Sequence, residues 1–204
     1  PHISPAAARY QVARVAGAEV VVLSGSQPRR FPTDTYARTV RVLRAMGKVV
    51  VLEDTDADGR MDKRTVFQDG LVLARWLKVL DRGLLVAEPP NLWLFQDTNG
   101  DLRADRKELV TDAYGRREGN VEHNANSLLW ALDNNIYTSE IDIDVRLKNG
   151  KFDVRRTLSR GQWGITQDDA GRIFRNTNES ALHVDLVPAR YYARHPHLLR
   201  TRGA

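Results

Sequence analysis

Two short stretches of the sequence concentrate oxygen-bearing side chains that could bind a metal ion. The first is LEDTDADGRMDKR, residues 52–64, and the second is FQDTNGDLRADRK, residues 95–107. Acidic or amide residues at alternate positions can converge on one hard cation such as Ca²⁺. The sequence therefore predicts two calcium loops at a constant offset of 43 residues, with ligands from Asp54, Asp56, Asp58 and Asp62 and from Asp97, Asn99, Asp101 and Asp105.

The first loop matches the start of an EF-hand loop, but neither loop completes that motif. The twelfth position of the first loop is Thr65 instead of a bidentate Glu. The second loop has Glu108 at that position, but Leu102 replaces the glycine at position six. An Asx-rich turn, whose side chains bond to their own backbone, is the alternative to a metal site. The sequence leaves both interpretations open.

The elements around these loops are short strands arranged in a repeat. Repeats of about 40–50 residues, each with several short strands, are typical of β-propeller blades. The segments are rich in Val, Leu, Ile and Trp and are bounded by Gly, Asp, Asn and Pro. LLWALDNNIYTS and WGITQDDAGRIFRN predict hairpins, and TYARTVRVLRAMG, residues 35–47, predicts a strand pair rather than a helix.

We therefore predict an all-β fold in which residues 31–204 form a partial propeller of roughly four blades. Residues 1–30 show no blade pattern and are expected to form an atypical N-terminal segment. At 43 residues per blade, the 204 residues supply fewer than five blades, so an open side is expected.

Composition excludes several kinds of chemistry. The chain has no cysteine, which rules out disulfides, thiolate metal sites and covalent attachment of a c-type haem within it. No apolar run approaches the ~20 residues of a membrane helix, so no transmembrane segment is expected. The net charge of +5 resides mostly in the last sixteen residues. A basic tail can bind nucleic acid, but a solvated terminus explains it more simply, and no nucleic-acid partner is predicted.

Four segments, taken in order and spacing, resemble one known group of proteins. They are VVVLEDTDADGRMDKRTVFQDGL, EPPNLWLFQDTNGDLRADRKE, EHNANSLLWALDNNIYTSE and LSRGQWGITQDDAGRIFRNTN. They look like the propeller domain of bacterial membrane-bound-dehydrogenase-type proteins, in the glucose/sorbosone dehydrogenase or soluble quinoprotein glucose dehydrogenase superfamily. The resemblance covers roughly residues 30 to 204. It implies a six-bladed propeller in a periplasmic or otherwise exported protein, so we expect this chain to be a fragment or a truncated product.

The resemblance also implies an activity. Members of that superfamily oxidise a sugar or alcohol with pyrroloquinoline quinone (PQQ), and many pass electrons to a c-type cytochrome domain or protein. In the quinoprotein enzymes a His before an inner hairpin is the general base, and His123 lies at the matching offset from Asp133 and Tyr137. An Arg near the quinone precedes a Gly-apolar pair, which Arg160 matches. The resemblance thus assigns catalysis to His123 and Arg160, and cofactor contacts to Arg160, Asn126 and Gln162.

Two functional hypotheses follow. The first is a quinone-dependent oxidoreductase domain. The second is a non-catalytic propeller that binds a ligand or a protein on the same scaffold, because a fold does not fix a function. Convergence of His123 and Arg160 in one cleft would favour the first hypothesis.

Overall fold

A computed structural model describes residues 11–15, 19–23, 47–56, 58–120, 122–195 and 197. The described chain is almost entirely β-structure, which confirms the predicted all-β class. No helix in these ranges is long and apolar enough to cross a membrane. The strand pair predicted over residues 35–47 lies, except for Gly47, outside the described residues.

The strands of the described residues form four sheets, and neighbouring strands in each sheet are consecutive in the chain. The first contains β1 (Gln11–Val15), β2 (Glu19–Leu23), β3 (Val49–Glu53) and β4 (Lys63–Gln68). The second contains β5 (Trp76–Leu80), β6 (Gly83–Glu88), β7 (Asn91–Gln96) and β8 (Arg106–Thr111). The third contains β9 (Asn126–Trp130), β10 (Asn135–Ser139), β11 (Ile143–Lys148) and β12 (Lys151–Arg156). The fourth contains β13 (Trp163–Gln167), β14 (Ile173–Asn176) and β15 (His183–Asp185), and a short helix, α1 (Ala189–Tyr192), follows it.

Pairing within the sheets agrees with the two predicted hairpins and includes one parallel pair. β9–β10 and β13–β14 are antiparallel, as the sequence predicts. β2 and β3 run parallel, so the first sheet is not purely antiparallel. Parallel strands need a connection longer than a hairpin, and the chain between Leu23 and Val49 is long enough to supply one. β1 and β2 also show that strands begin within residues 1–30.

The chain divides into two compact units. The first comprises Pro1–Glu88 with Trp93–Glu108, and the second comprises Pro89–Leu92 with Leu109–Ala204. In the first unit, apolar residues of β3, β5, β6 and β7 and the 69–75 connection pack into a core made of Val49, Leu71, Ala74, Leu77, Leu84, Val86 and Phe95. Burial of such apolar area is the main stabilising contribution to the unit.

The core of the second unit joins its two sheets. Tyr137 of β10 and Ala131, which directly follows β9, pack with Ile173 of β14. Leu129 and Ile165 flank this cluster. The contact fixes the β9–β10 hairpin against β13 and β14, and residues from both sheets build the polar site described below.

Candidate functional site

The two acidic loops connect corresponding strands and have the same internal structure. Residues 54–62 join β3 to β4, and residues 97–105 join β7 to β8. In the first loop, the Asp62 carboxylate accepts hydrogen bonds from Thr55 N at 3.2 Å and Thr55 Oγ1 at 2.7 Å. In the second, Asp105 accepts from Thr98 N at 3.1–3.2 Å and Thr98 Oγ1 at 2.8 Å. The repeated residues therefore build the same turn twice.

Other side-chain oxygens hold the loop backbone in the same way. Asp54 Oδ2 accepts from Gly59 N at 2.9 Å, and Asp97 Oδ2 accepts from Leu102 N at 2.8 Å. The remaining acceptors bond to the amide two residues later, as in Asx turns. They are Asp56 and Asp58 in the first loop and Asn99 and Asp101 in the second. Backbone donors thus offset much of the repulsion among these acids.

The two loops differ in which carboxylate oxygens remain available to bind a cation. Carboxylate oxygens of Asp54, Asp56 and Asp58 lie within 4.8 Å of one another. Asp54 Oδ1 is buried and makes no hydrogen bond to the described residues. In the second loop both oxygens of Asp97 accept backbone hydrogen bonds, since Gly100 N donates to Oδ1 at 2.7 Å. The first loop is therefore the better match to the oxygen set that Ca²⁺ requires.

In the second unit, His123 is positioned by a fixed loop before β9. Asn124 is buried and spans this loop, because its side chain accepts from Arg116 N at 2.9 Å and donates to Arg116 O at 2.6 Å. The guanidinium of Arg116 also donates to the carbonyl of His123 at 2.8 Å. Gly115 has a φ of 88°, and a Cβ there would lie 2.4 Å from the Asn124 side-chain oxygen. A larger residue at Gly115 would displace the loop.

Three residues assigned from the resemblance converge in space. Gln162 Nε2 lies 3.0 Å from His123 Nδ1, and Asn126 Nδ2 donates to Gln162 O at 2.9 Å. Asn126 is buried, whereas the His123 side chain is 42% exposed. Ser127 Oγ donates to Asn126 Oδ1 at 2.9 Å and fixes the orientation of that amide. The result is a half-open polar site with a rigid floor.

Two further residues complete this site, hereafter the His123 site. Glu140 Oε1 lies 3.5 Å from His123 Nδ1. The ring centroids of His123 and Trp163 are 6.0 Å apart, and the Trp163 indole donates to Asn178 Oδ1 at 2.8 Å. An imidazole, a carboxylate and an aromatic ring in one partly exposed cluster can bind a small molecule that carries both hydroxyl groups and apolar faces.

Arg160 makes a different set of contacts. Its Nη1 donates to Asp185 at 3.0 Å, and its side chain is 11% exposed. The guanidinium carbon lies 5.1 Å from the centre of the Tyr192 ring. Arg175 bonds to the other oxygen of Asp185 at 3.2 Å. Among the described residues, no hydrogen bond or ion pair joins Arg160 to His123. Asp185 is shared by Arg160 and Arg175, so its single negative charge does not neutralise both guanidiniums.

Asp133 and Tyr137, which the resemblance uses as spacing markers, have a structural role. The Tyr137 hydroxyl donates to Asp133 at 2.7 Å, and Arg190 of α1 donates to the same carboxylate at 2.6 Å. Burial opposes ionisation of Asp133, but hydrogen bonds from Tyr137 and Asn135 and the charge of Arg190 lower its pKa. Burial and the Asp133 carboxylate raise the pKa of Tyr137. This cluster ties the C-terminal helix to the β9–β10 hairpin, so Arg190 is not part of a solvated tail.

Asp144 of β11 is a buried acid that no sequence motif indicated. Its side chain is 2% exposed, and neither carboxylate oxygen has a hydrogen bond to the described residues. Arg155 on the neighbouring strand places Nε 3.4 Å from Oδ1, which is longer than a charge-assisted hydrogen bond. Burial raises the pKa of Asp144, and the charges of Arg155 and Arg190 offset this in part.

Sequence reasoning missed Glu140 and Trp163 as members of the His123 site, and it missed Asn178, which bonds to Trp163 and Gln162. Trp163 follows Gln162 directly, so its position beside a candidate site residue was an available signal. Glu140 has a φ of 60° at the end of β10, a conformation that no motif indicates. Asn178 contributes its backbone amide as well as its side chain, and a backbone donor leaves no trace in residue type.

Fold and site define an all-β domain with paired acidic turns and a half-open polar site around His123. The chain belongs to a protein family described as a domain of unknown function, DUF7133, whose family model matches residues 28–203. No curated protein and no solved structure matches the chain.

Proposed function

We propose that this domain binds a small sugar or alcohol at the His123 site, in the manner of a ligand-binding module built on a propeller-type scaffold. The supporting observation is that Gln162 contacts both His123 and Asn126, which precede it by 39 and 36 positions in the chain. Glu140 offers an acceptor for ligand hydroxyls, and Trp163 offers an aromatic face for their apolar CH groups. This is the second of the two hypotheses raised by the sequence.

Titration followed through tryptophan indole NMR signals tests this function. The chain has four tryptophans, and Trp163→Phe identifies the signal of Trp163. D-glucose, glycerol and ethanol serve as probes. We expect at least one of them to shift the Trp163 signal saturably, and His123→Ala to weaken that binding at least ~10-fold, as loss of a buried ligand hydrogen bond does.

His195→Ala is the matched control, since it removes an exposed imidazole elsewhere in the same unit. It should leave the titration unchanged. If none of the three probes perturbs Trp163, or if His195→Ala and His123→Ala weaken binding equally, the proposed site is wrong.

Quinone-dependent oxidation stays a prediction of the resemblance, and one observation argues against it. An anionic cofactor needs a cation that is free to stabilise it. Arg160, the residue assigned to that role, is nearly buried and donates to Asp185, which also pairs with Arg175. Among the described residues it makes no hydrogen bond or ion pair with the His123 site, which itself contains the acid Glu140. The residues present therefore do not fit an anionic quinone well. Dye reduction by sugars or alcohols in the presence of PQQ and Ca²⁺, lowered ~10²-fold by His123→Ala, would establish the enzyme.

Calcium binding also stays a prediction, and here the residues do fit. Asp54, Asp56 and Asp58 would supply the ligands, each with one oxygen that accepts no hydrogen bond from the described backbone of the loop. The buried, unbonded Oδ1 of Asp54 supports this proposal for the first loop. When bound, the ion would stabilise the turn between β3 and β4.

A further inference from the structure

The hydrogen bonds around Gln162 determine which nitrogen of His123 carries the proton. Gln162 Oε1 accepts a hydrogen bond from the backbone N–H of Asn178 at 2.9 Å. A backbone amide can only donate, so this contact identifies the oxygen end of the Gln162 side chain. The other end, Nε2, is then the group that lies 3.0 Å from His123 Nδ1. An amide NH₂ can only donate as well, so Nδ1 must accept.

We propose that His123 is held with its proton on Nε2, so that it presents a fixed hydrogen-bond donor to an oxygen of the bound ligand. Neutral imidazole has one donor and one acceptor nitrogen, and Gln162 takes the acceptor. Within the described residues, Nε2 makes no hydrogen bond, and the side chain is 42% exposed, so the donor is open to a ligand. The identity of the ligand in this inference rests on the proposed ligand-binding function. The position of the proton on His123 rests only on the contacts of Gln162.

Glu140 does not reverse this assignment. Its Oε1 is 3.5 Å from Nδ1, and that contact becomes favourable only when Nδ1 is protonated. Protonation of Nδ1 gives imidazolium, in which Nε2 keeps its proton. His123 is therefore an Nε2 donor in both charge states. It cannot act through Nε2 as the general base that the resemblance implies, because a base needs an unprotonated nitrogen facing the substrate.

The expected ligand atom follows from this donor. A hydroxyl, ether or carbonyl oxygen of a sugar or alcohol can accept from Nε2–H, while a neighbouring hydroxyl donates to Glu140. A ligand that offers both an acceptor and a donor, such as a vicinal diol, satisfies both residues. A ligand with donors only would leave Nε2 unpaired and should bind more weakly.

The imidazole ¹⁵N chemical shifts of His123 test the proposal without any ligand. At a pH of about 9, where an imidazole is neutral, the shifts should show a protonated Nε2 and an unprotonated Nδ1. Gln162→Glu keeps the acceptor for Asn178 N but removes the donor to Nδ1, so the proton should move to Nδ1. Gln167→Glu is the matched control, since Gln167 Oε1 also accepts from a backbone amide, that of Leu132, at 3.0 Å.

Binding of a vicinal diol, glycerol, then reports whether the donor is used. At the same pH, Gln162→Glu should weaken glycerol binding at least ~10-fold, and Gln167→Glu should not. A wild-type Nδ1–H tautomer, or an Nε2–H tautomer that Gln162→Glu leaves unchanged, overturns the proposal. Undiminished glycerol binding in Gln162→Glu after its tautomer has changed also overturns it.

If glycerol fails to bind the wild type while glucose binds, glucose replaces it as the probe. If no probe binds, the proposed function is wrong, and so is the claim that Nε2–H of His123 donates to a ligand. The ¹⁵N shifts still show which nitrogen of His123 carries the proton.

Discussion

Replacing the buried acid Asp144 by asparagine should stabilise the second unit, and more so as the pH rises. Asp144 has a side chain that is 2% exposed and carboxylate oxygens with no hydrogen-bond donor among the described residues. Burial raises its pKa, with Arg155 and Arg190 opposing this only in part. The folded state therefore holds the Asp144 proton more tightly than the unfolded state does. Its contribution to stability is complete below the ordinary Asp pKa and is lost as the pH rises through the raised value.

The size of the effect follows from the missing partners. A buried polar group without a hydrogen bond costs about 1–3 kcal/mol, and the cost is greater for a charge. Asparagine removes the charge but keeps a polar amide. We therefore expect the free energy of unfolding to rise by about 1 kcal/mol at neutral pH, near the lower end of that range. For a chain of this size that corresponds to a rise in Tm of about 2–4 °C. Below the ordinary Asp pKa the two proteins should have the same stability.

Thermal unfolding of the two proteins, followed by circular dichroism between acid and neutral pH, measures this difference. Asp153→Asn is the control, because Asp153 also lies near Arg155, with an Oδ2–Nε distance of 3.5 Å, but its side chain is 59% exposed. It should change the unfolding free energy by no more than about 0.5 kcal/mol. The reasoning is refuted if Asp144→Asn is less stable than the wild type at neutral pH, since Arg155 would then hold an ionised Asp144 favourably.

Two further predictions concern the acidic loops. Asp105→Ala should lower the unfolding free energy by about 1–2 kcal/mol, because it removes the acceptor for Thr98 N and Oγ1. The exposed Asp112 gives the control Asp112→Ala, and equal effects of the two changes in denaturant titrations would contradict the assigned role. Calcium should raise the stability of the first unit by about 2.7 kcal/mol at a free concentration of a hundred times Kd, and Asp54→Asn should abolish that gain. Calorimetric titration that detects no calcium binding to the wild type would reject the site.

The features of the fold that could be predicted are those specified by residues close together in the sequence. Short runs such as β3, whose residues are nearly all buried, carry their pattern within five positions. The hairpins β9–β10 and β13–β14 are specified by adjacent turn residues, and both were predicted correctly. The parallel pairing of β2 with β3 was not predicted, because the partner of a strand across a long connection is chosen by packing and not by its own residues.

The sequence by itself determined the all-β class and the two copies of the acidic turn. Each of these depends on residues a few positions apart, such as Thr98 and Asp105, so residue type and spacing suffice to specify them. The resemblance named His123, Asn126 and Gln162 as site residues, and these three residues are in contact in the structure, whereas their roles stay a prediction.

Only the tertiary structure decided how those residues are paired and charged. The contact between His123 and Gln162 spans 39 positions, and the donor that orients Gln162 is a backbone amide. Arg160 likewise pairs with Asp185, which lies 25 positions away in the chain and also bonds to Arg175. A hydrogen bond depends on the distance and direction between two groups in space, and chain folding sets both. Residue types alone could therefore identify the candidate groups. They could not show which nitrogen of His123 carries the proton or which residue pairs with Arg160.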